Sequence, residues 1–351
     1  PPPAGWVERA TETRAGWRLE GWLLHPARGP FDELEVWWNG SPLGFAERVE
    51  RPDLAESIYW LPRVGEAGFA LLLPAGESAG RLDVLPVRGS RRTGRYSLEF
   101  VAASRETHPV PPAELTQRIS GLDGDAFRLS GQKVFTDLWD QVTSTLGDTR
   151  SLRLLDWGCG CGRLTRYLAR TECCELLGCD IDEQAVAWCD AHLPGTFEVT
   201  SAYPPLPYDE ASLDVVFASS IFTHLQRADQ ERWLSELQRV IRPGGLLLAS
   251  VMGTYAAMLG APTRLRRLAA PGSILAVASA ARRYAKFLSA GITDGDLDGR
   301  LDAIAPSRYY RSVMQTQAYT TSTWSAYFEV ADYLPRGLQG HQDLVVLRRR
   351  P

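Results

Sequence analysis

The chain has 351 residues, 38 basic and 42 acidic side chains and a formal charge of −4; at roughly 100–200 residues per domain, this length predicts two domains or three. A hydrophobic content of 44% and a charged content of 23% exclude wholesale disorder, and the near-neutral balance excludes a general nucleic-acid footprint. No apolar run reaches the roughly 18 residues of a membrane span. Six of the 11 Trp fall in the first 60 positions, and all six Cys fall between Cys159 and Cys189. One tight cysteine cluster in a long chain fits a reducing, cytoplasmic compartment better than a disulfide scaffold. The start, Pro1-Pro2-Pro3, shows neither the charged n-region nor the apolar h-region of a secretory signal.

In chain order, residues 1–107 read as an all-β sandwich, with short apolar runs separated by turn signals. Asn39-Gly40 follows Glu35–Trp38 and supplies the positive φ angles of a tight hairpin. Phe69–Leu73 and Leu82–Val87 read as further strands. Trp37 and Trp38 are neighbours on a strand, so they point to opposite faces, and an exposed one would stack on a sugar ring. Packing against the rest of the chain and a homodimer contact are the competing explanations. A Pro-rich linker, residues 108–113, closes this part.

From residue 114 the pattern changes. Val134, Phe135, Leu138, Val142 and Leu146 recur at helical spacing, with Gly147 as the stop. Strand-like runs Leu152–Trp157, Leu176–Asp180, Leu213–Ala218 and Leu246–Val251 then alternate with helical stretches Leu164–Arg170, Glu183–Asp190 and Asp229–Ile241. This alternation predicts a parallel sheet covered by helices on both faces. An Ala- and Arg-rich helical insertion is expected at about 253–310, with helical stretches around Leu265 and over Ile274–Leu288. Two last strands follow at Phe328–Tyr333 and Asp343–Arg348.

The strongest motif is Asp156-Trp157-Gly158-Cys159-Gly160-Cys161-Gly162-Arg163, an apolar strand running into glycines and then a helix. Glycines there permit a tight turn and close backbone approach to a ligand. The spacing is G-x-G-x-G, and Arg163 stands where a dinucleotide fold needs its third glycine, which disfavours a nicotinamide cofactor. Asp180, at the end of the second strand, is placed to contact ribose hydroxyls.

With Leu213–Ser220 and the turn Arg242-Pro243-Gly244-Gly245-Leu246, these residues resemble the class I S-adenosylmethionine (SAM)-dependent methyltransferases over about residues 114–351. The resemblance implies a Rossmann-like seven-stranded α/β domain with a last antiparallel strand, beside the all-β sandwich. It implies SAM as cofactor and S-adenosylhomocysteine as product. Gly158 and Gly160 would approach the methionine part, Asp156 would orient its amino group, and Asp180 would hold the ribose. Cys159, Ile181 and Ser219 complete the expected cofactor set. The family's frequent acid after the third strand is missing from Thr200–Pro207, so backbone at Ser201 and Ala202, with Tyr203 nearby, is expected at adenine. More weakly, Gly21–Leu24, Arg51–Leu54 and Gly68-Phe69 resemble β-sandwich modules attached to bacterial glycosyltransferases and methyltransferases.

The expected reaction is methyl transfer to a small-molecule acceptor, a hydroxyl of a sugar or natural product. His224 is the candidate base, with His341 and Asp343 as alternatives. Phe222, Tyr309, Tyr310, Gln315, Tyr319 and His341 are the candidate acceptor-site residues. A non-methyl reaction on the same cofactor and a non-catalytic scaffold are the alternative functions. Asp294–Gly299 resembles the start of a calcium loop, but Ala305 stands where the bidentate Glu is needed, so a polar loop and no metal are expected. Cys173-Cys174 are adjacent, unlike the spacing of structural zinc sites.

Overall fold

The computed structural model describes residues 2–58, 61–171, 175–257, 284–297 and 304–351, with the single residues 282 and 299. Most of the expected Ala- and Arg-rich insertion, including Leu265 and Ile274, lies outside the described residues, as do Cys173, Cys174 and Asp298.

The N-terminal strands are β1 (Ala4–Thr13), β2 (Gly16–His25), β3 (Gly29–Pro30), β4 (Glu33–Trp38), β5 (Ser41–Phe45), β6 (Glu47–Val49), β7 (Gly68–Leu72), β8 (Ala79–Arg88), β9 (Arg91–Arg92) and β10 (Tyr96–Val101), with a short helix α1 (Pro52–Ser57) between β6 and β7. They form two antiparallel sheets, in the orders β1-β2-β7-β6 and β10-β8-β4-β5. One apolar core joins the facing sheets: Val7, Leu19 and Leu71 from the first meet Val36, Trp38, Leu82 and Leu98 from the second. Alternation along β4 buries Leu34, Val36 and Trp38, as a strand with one core face requires. The hairpin after β4 turns at Asn39 and Gly40, both at positive φ (47° and 79°), the geometry of a tight two-residue turn. Trp37 lies on the outer face, partly buried, with the Arg92 guanidinium 5.6 Å from its ring; it is not the exposed aromatic surface expected of the Trp37-Trp38 pair.

The second half begins with α2 (Ala113–Ser120) and α3 (Gly124–Leu146). β11 (Arg153–Trp157), α4 (Thr165–Leu168), β12 (Glu175–Asp180), α5 (Glu183–His192), β13 (Thr196–Val199), β14 (Leu213–Ala218), α6 (Arg227–Val240) and β15 (Ile241–Val251) follow. The chain ends with β16 (Ile292–Leu297), β17 (Arg311–Gln315), α7 (Gln317–Trp324), β18 (Glu329–Leu338) and β19 (Gln342–Arg348). The seven-stranded sheet has the order β13-β12-β11-β14-β15-β19-β18. Neighbours from β13 to β15 pair parallel, and β19 is antiparallel to both β15 and β18. Strand order reverses between β11 and β14, and such a switch point opens a crevice beyond the carboxyl ends of the strands. The central strands are buried on both faces, so they read as continuous apolar runs.

Helix α3 connects the two halves. β1 and β10 are edge strands of the two N-terminal sheets, and α3 packs against both. Its Gln132 accepts from Val101 N (3.2 Å) and donates to Val101 O (2.7 Å), and Thr136 Oγ1 accepts from Glu99 N (2.8 Å). Side chains of a helix thus satisfy backbone groups that an edge strand would otherwise leave open.

Candidate active site

A cavity of about 670 Å³ lies at the switch point, within the size range of small-molecule sites. Its floor is the glycine loop after β11. Gly158 N and Cys159 N both donate to Cys179 O (2.8 and 3.1 Å), which fixes the loop to β12. Gly158 (φ 75°) and Gly160 (φ 51°) take left-handed conformations, and a Cβ on either would strike Ile221 or Ile119 at 2.1 and 2.6 Å. Only glycine serves at both positions.

Asp180 ends β12. Its Oδ2 accepts from Gly160 N (2.7 Å) and its Oδ1 from Asp182 N (3.0 Å). Each carboxylate oxygen retains a lone pair toward the cavity, suited to a pair of hydroxyl donors. Burial raises the Asp180 pKa. Asp182 caps α5 through Gln184 N and Ala185 N and pairs with Arg118, which ties α2 to the site.

Asp156 is buried near the end of β11 and accepts from Thr165 Oγ1 (2.6 Å). Burial pushes its carboxyl up to about 6, against the pull of that hydrogen bond. Across the crevice, Ser219 Oγ is buried and has no partner among the described residues. Together, the glycine cradle, the half-used Asp180 carboxylate, the buried Asp156 and the orphaned Ser219 hydroxyl fit a ligand with an ammonium group and a ribose. Ile181, Ser201 and Ala202 also line the cavity; Gly160 lies behind the lining and acts through its amide on Asp180. Tyr203 leans edge-on to Tyr309, ring centroids 5.0 Å apart.

His224 follows β14 and lines the same cavity. Its backbone carbonyl accepts from Arg311 N (3.1 Å), and its Nδ1 lies 2.8 Å from Arg311 O. A carbonyl only accepts, so Nδ1 carries the proton, and in the neutral ring Nε2 is the basic nitrogen. Tyr310 stacks on the imidazole at 3.9 Å and 14°. This clamp depends on β17, whose Val313 N donates to Thr223 O (2.8 Å).

Among the candidate acceptor residues, Tyr309, Tyr310 and His341 line the cavity, and burial lowers the His341 pKa. Three others do not line it. Phe222 is fully buried against Trp157 and Trp324. Gln315 is buried between Gln230 and Thr320, bonded to both. Tyr319 packs under Arg227. Phe222 and Gln315 thus fill the core, while Tyr319 is only partly buried. Asp343 is also structural, accepting from Tyr333 Oη (2.7 Å) and Arg336 N (2.8 Å) beneath the last turn. The calcium-loop resemblance is replaced by strand: Ile292–Leu297 pairs with Arg311–Gln315. Among the described residues, no group of three or more His, Cys, Asp or Glu is arranged to hold a metal ion. Cys159, Cys161, Cys179 and Cys189 are free and buried, and burial pushes the Cys161 and Cys179 thiols up to about 12, so neither is a ready nucleophile.

Sequence reasoning missed two contributors to the walls. One is α2, through Arg118 and Ile119. The other is β1, through Trp6, Val7 and Glu8. The Trp-rich composition of the N-terminal region was the available signal for Trp6; nothing local in the sequence placed its strand at the second half's crevice.

Residues 155–249 match a family described as a methyltransferase domain. Among curated proteins, the chain is similar to a phthiotriol/phenolphthiotriol dimycocerosates methyltransferase of Mycobacterium ulcerans, 34% identical over 112 residues, 30% of this chain and 40% of that protein. It is also similar to a malonyl-[acyl-carrier protein] O-methyltransferase of Methylococcus capsulatus, 35% identical over 105 residues, 29% of this chain and 38% of that protein. The chain thus spans about two fifths of the length of these relatives. Among solved structures, it is similar to a 1,6-didemethyltoxoflavin-N1-methyltransferase of Burkholderia thailandensis with S-adenosylhomocysteine bound, at 15% identity and TM-score 0.42, covering 73% of this chain and 96% of that one. The match over residues 155–249 identifies this part of the chain as a methyltransferase domain, and it spans the glycine loop and the central strands of the seven-stranded sheet.

Proposed function

We propose that the chain transfers the methyl group of SAM to an oxygen of a small-molecule acceptor, with His224 as the base. The observation that carries this reading is that one cavity holds both Asp180, whose carboxylate accepts from Gly160 N of the glycine loop, and the His224 imidazole, whose Nδ1 is bonded to the Arg311 carbonyl. When bound, SAM supplies a methyl group already activated on sulfur, so the protein's work is to position the acceptor and take its proton. In this reading Asp180 holds the ribose, Asp156 the amino group, and backbone at Ser201 and Ala202 the adenine. An oxygen acceptor is favoured because a hydroxyl needs a base, and an O-methyltransferase stands among the relatives. A sugar or natural-product hydroxyl suits the cavity size. The division into residues 1–107, a linker at 108–113 and a catalytic part at 114–351 belongs to the same proposal. No helix among the described residues is long and apolar enough to cross a membrane.

Calorimetry with SAM and mass spectrometry over an acceptor panel test it. S-adenosylhomocysteine should appear in step with a methylated product. Asp180→Ala should weaken SAM binding at least tenfold, on the order of 1.4 kcal/mol or more; near-normal affinity removes the ribose assignment. His224→Ala should cut turnover while sparing SAM affinity, and unchanged turnover would make His224 a structural residue.

A further inference from the structure

Strand β1 belongs to the N-terminal sheets, yet its Trp6 and Glu8 line the cavity of the other half. Trp6 is the one exposed tryptophan among the described residues, at 37%. Its indole rests against Trp22, ring centroids 5.3 Å apart, so the ring is braced on one side. β1 carries a bulge here: Val7 faces Gly21 and Arg9 faces Glu20, which leaves Glu8 as the extra residue. Bulges re-aim side chains and recur beside active sites. Val7 N, freed by the bulge, donates instead to Tyr96 Oη (3.1 Å).

The Glu8 carboxylate is held in place. Trp22 Nε1 donates to its Oε1 (2.9 Å) and Arg51 Nη1 to its Oε2 (2.6 Å). Arg51 is itself held by Asp53 through two hydrogen bonds (2.8 and 2.7 Å). A carboxylate already paired with a guanidinium gains little from a cationic ligand, but each oxygen still has a lone pair for a hydroxyl donor. His341 and Gln342, at the start of β19, line the same cavity and bring no fixed charge: burial disfavours the His341 imidazolium, and Gln342 bonds Ser220. The turn is fixed against β1, because a Cβ on Gly340 would meet Pro3 O at 2.7 Å.

Resting on the methyltransferase reading above, we infer that β1 forms the acceptor wall and selects a neutral polyhydroxylated ring, a glycosyl group, with Trp6 as the stacking face and Glu8 as the acceptor for two of its hydroxyls. An indole is a large rigid surface that covers the C–H face of such a ring at little entropic cost. A fixed carboxylate beside it sets which hydroxyls are bonded.

The test uses the full chain saturated with S-adenosylhomocysteine and probes it by saturation-transfer NMR with the methyl glycosides of glucose, galactose, mannose and rhamnose, and with catechol as a planar aromatic comparator. At least one glycoside should bind. Trp6→Ala should weaken it at least tenfold, Trp6→Phe should retain part of the affinity, and Glu8→Gln should weaken it three- to tenfold. All three variants should bind S-adenosylhomocysteine as the unaltered chain does, measured by calorimetry. Glu8→Gln is nearly isosteric and decides the matter if Trp6→Ala does not fold. Binding of catechol alone, binding of no glycoside, or glycoside affinity indifferent to both positions overturns the inference and leaves the methyltransferase reading standing. Failure of the unaltered chain to bind S-adenosylhomocysteine overturns that reading and this inference with it.

Discussion

In the proposed reading, Asp156 is where stability and cofactor binding would oppose each other. Its carboxyl is pushed from 3.8 up to about 6, first by burial and then against the hydrogen bond from Thr165. Because the folded pKa lies above the unfolded one, the native state holds the proton more tightly between the two values. That contribution is complete below about pH 4 and is lost as pH rises through 6; at pH 8 the buried charge costs on the order of 3 kcal/mol. Asp156→Asn should therefore raise the unfolding free energy at pH 8 by roughly 1–3 kcal/mol, seen as a higher urea midpoint, and give no gain at pH 4. The same substitution should weaken SAM binding at pH 8, because the ionised carboxylate is what an ammonium group pairs with. For the unaltered chain, SAM affinity should fall as pH drops through 6. Equal stabilisation at both pH values would show that the carboxyl is not held in this environment.

At the scale of elements, α3 is the piece whose role outruns its sequence. Gln132 is 1% exposed and spends both ends of its amide on Val101. Gln132→Ala leaves the edge of β10 with a buried donor and a buried acceptor unpaired, which should cost about 2–4 kcal/mol, read as a lower urea midpoint. A loss below about 0.5 kcal/mol would mean that water replaces the amide there. The helix itself was legible: Val134, Leu138 and Val142 recur at its period and are buried. What it covers was not, because edge strands are set by pairing across the sheet and not by local pattern. The same reason hid β16. Asp294-Gly295-Asp296 reads as a polar loop, and it becomes strand through pairing with residues about 20 positions downstream. The glycine loop and Asp180 were legible because a left-handed turn demands glycine and a strand end demands little else. Of the candidate acceptor residues, Tyr309 and Tyr310 line the cavity, while Phe222 and Gln315 fill the core, a difference set by long-range packing that local pattern does not carry.

For the whole molecule, the question is whether the two halves are independent units. A Pro-rich stretch at 108–113 and a change from all-β to alternating pattern suggest that they are. The packing argues otherwise. Leu129 of α3 is buried in the sandwich core, while Val134, Leu138 and Val142 of the same helix are buried against β11 and β14 of the other half. Arg81 of β8 adds a two-pronged pair with Asp140 of α3 (2.8 and 2.7 Å), a partly exposed contact worth about 1 kcal/mol at most. A helix shared by two cores cannot unfold with one and stay folded with the other. Urea unfolding should therefore be a single transition, with tryptophan fluorescence, whose eleven reporters are spread over both halves, and far-UV circular dichroism superimposing. Gln132→Ala should move both curves together. Two separated transitions, with only the earlier one shifted by Gln132→Ala, would show that α3 holds its place without the sandwich, and that the wall carrying Trp6 and Glu8 can leave the site while the glycine loop stays folded.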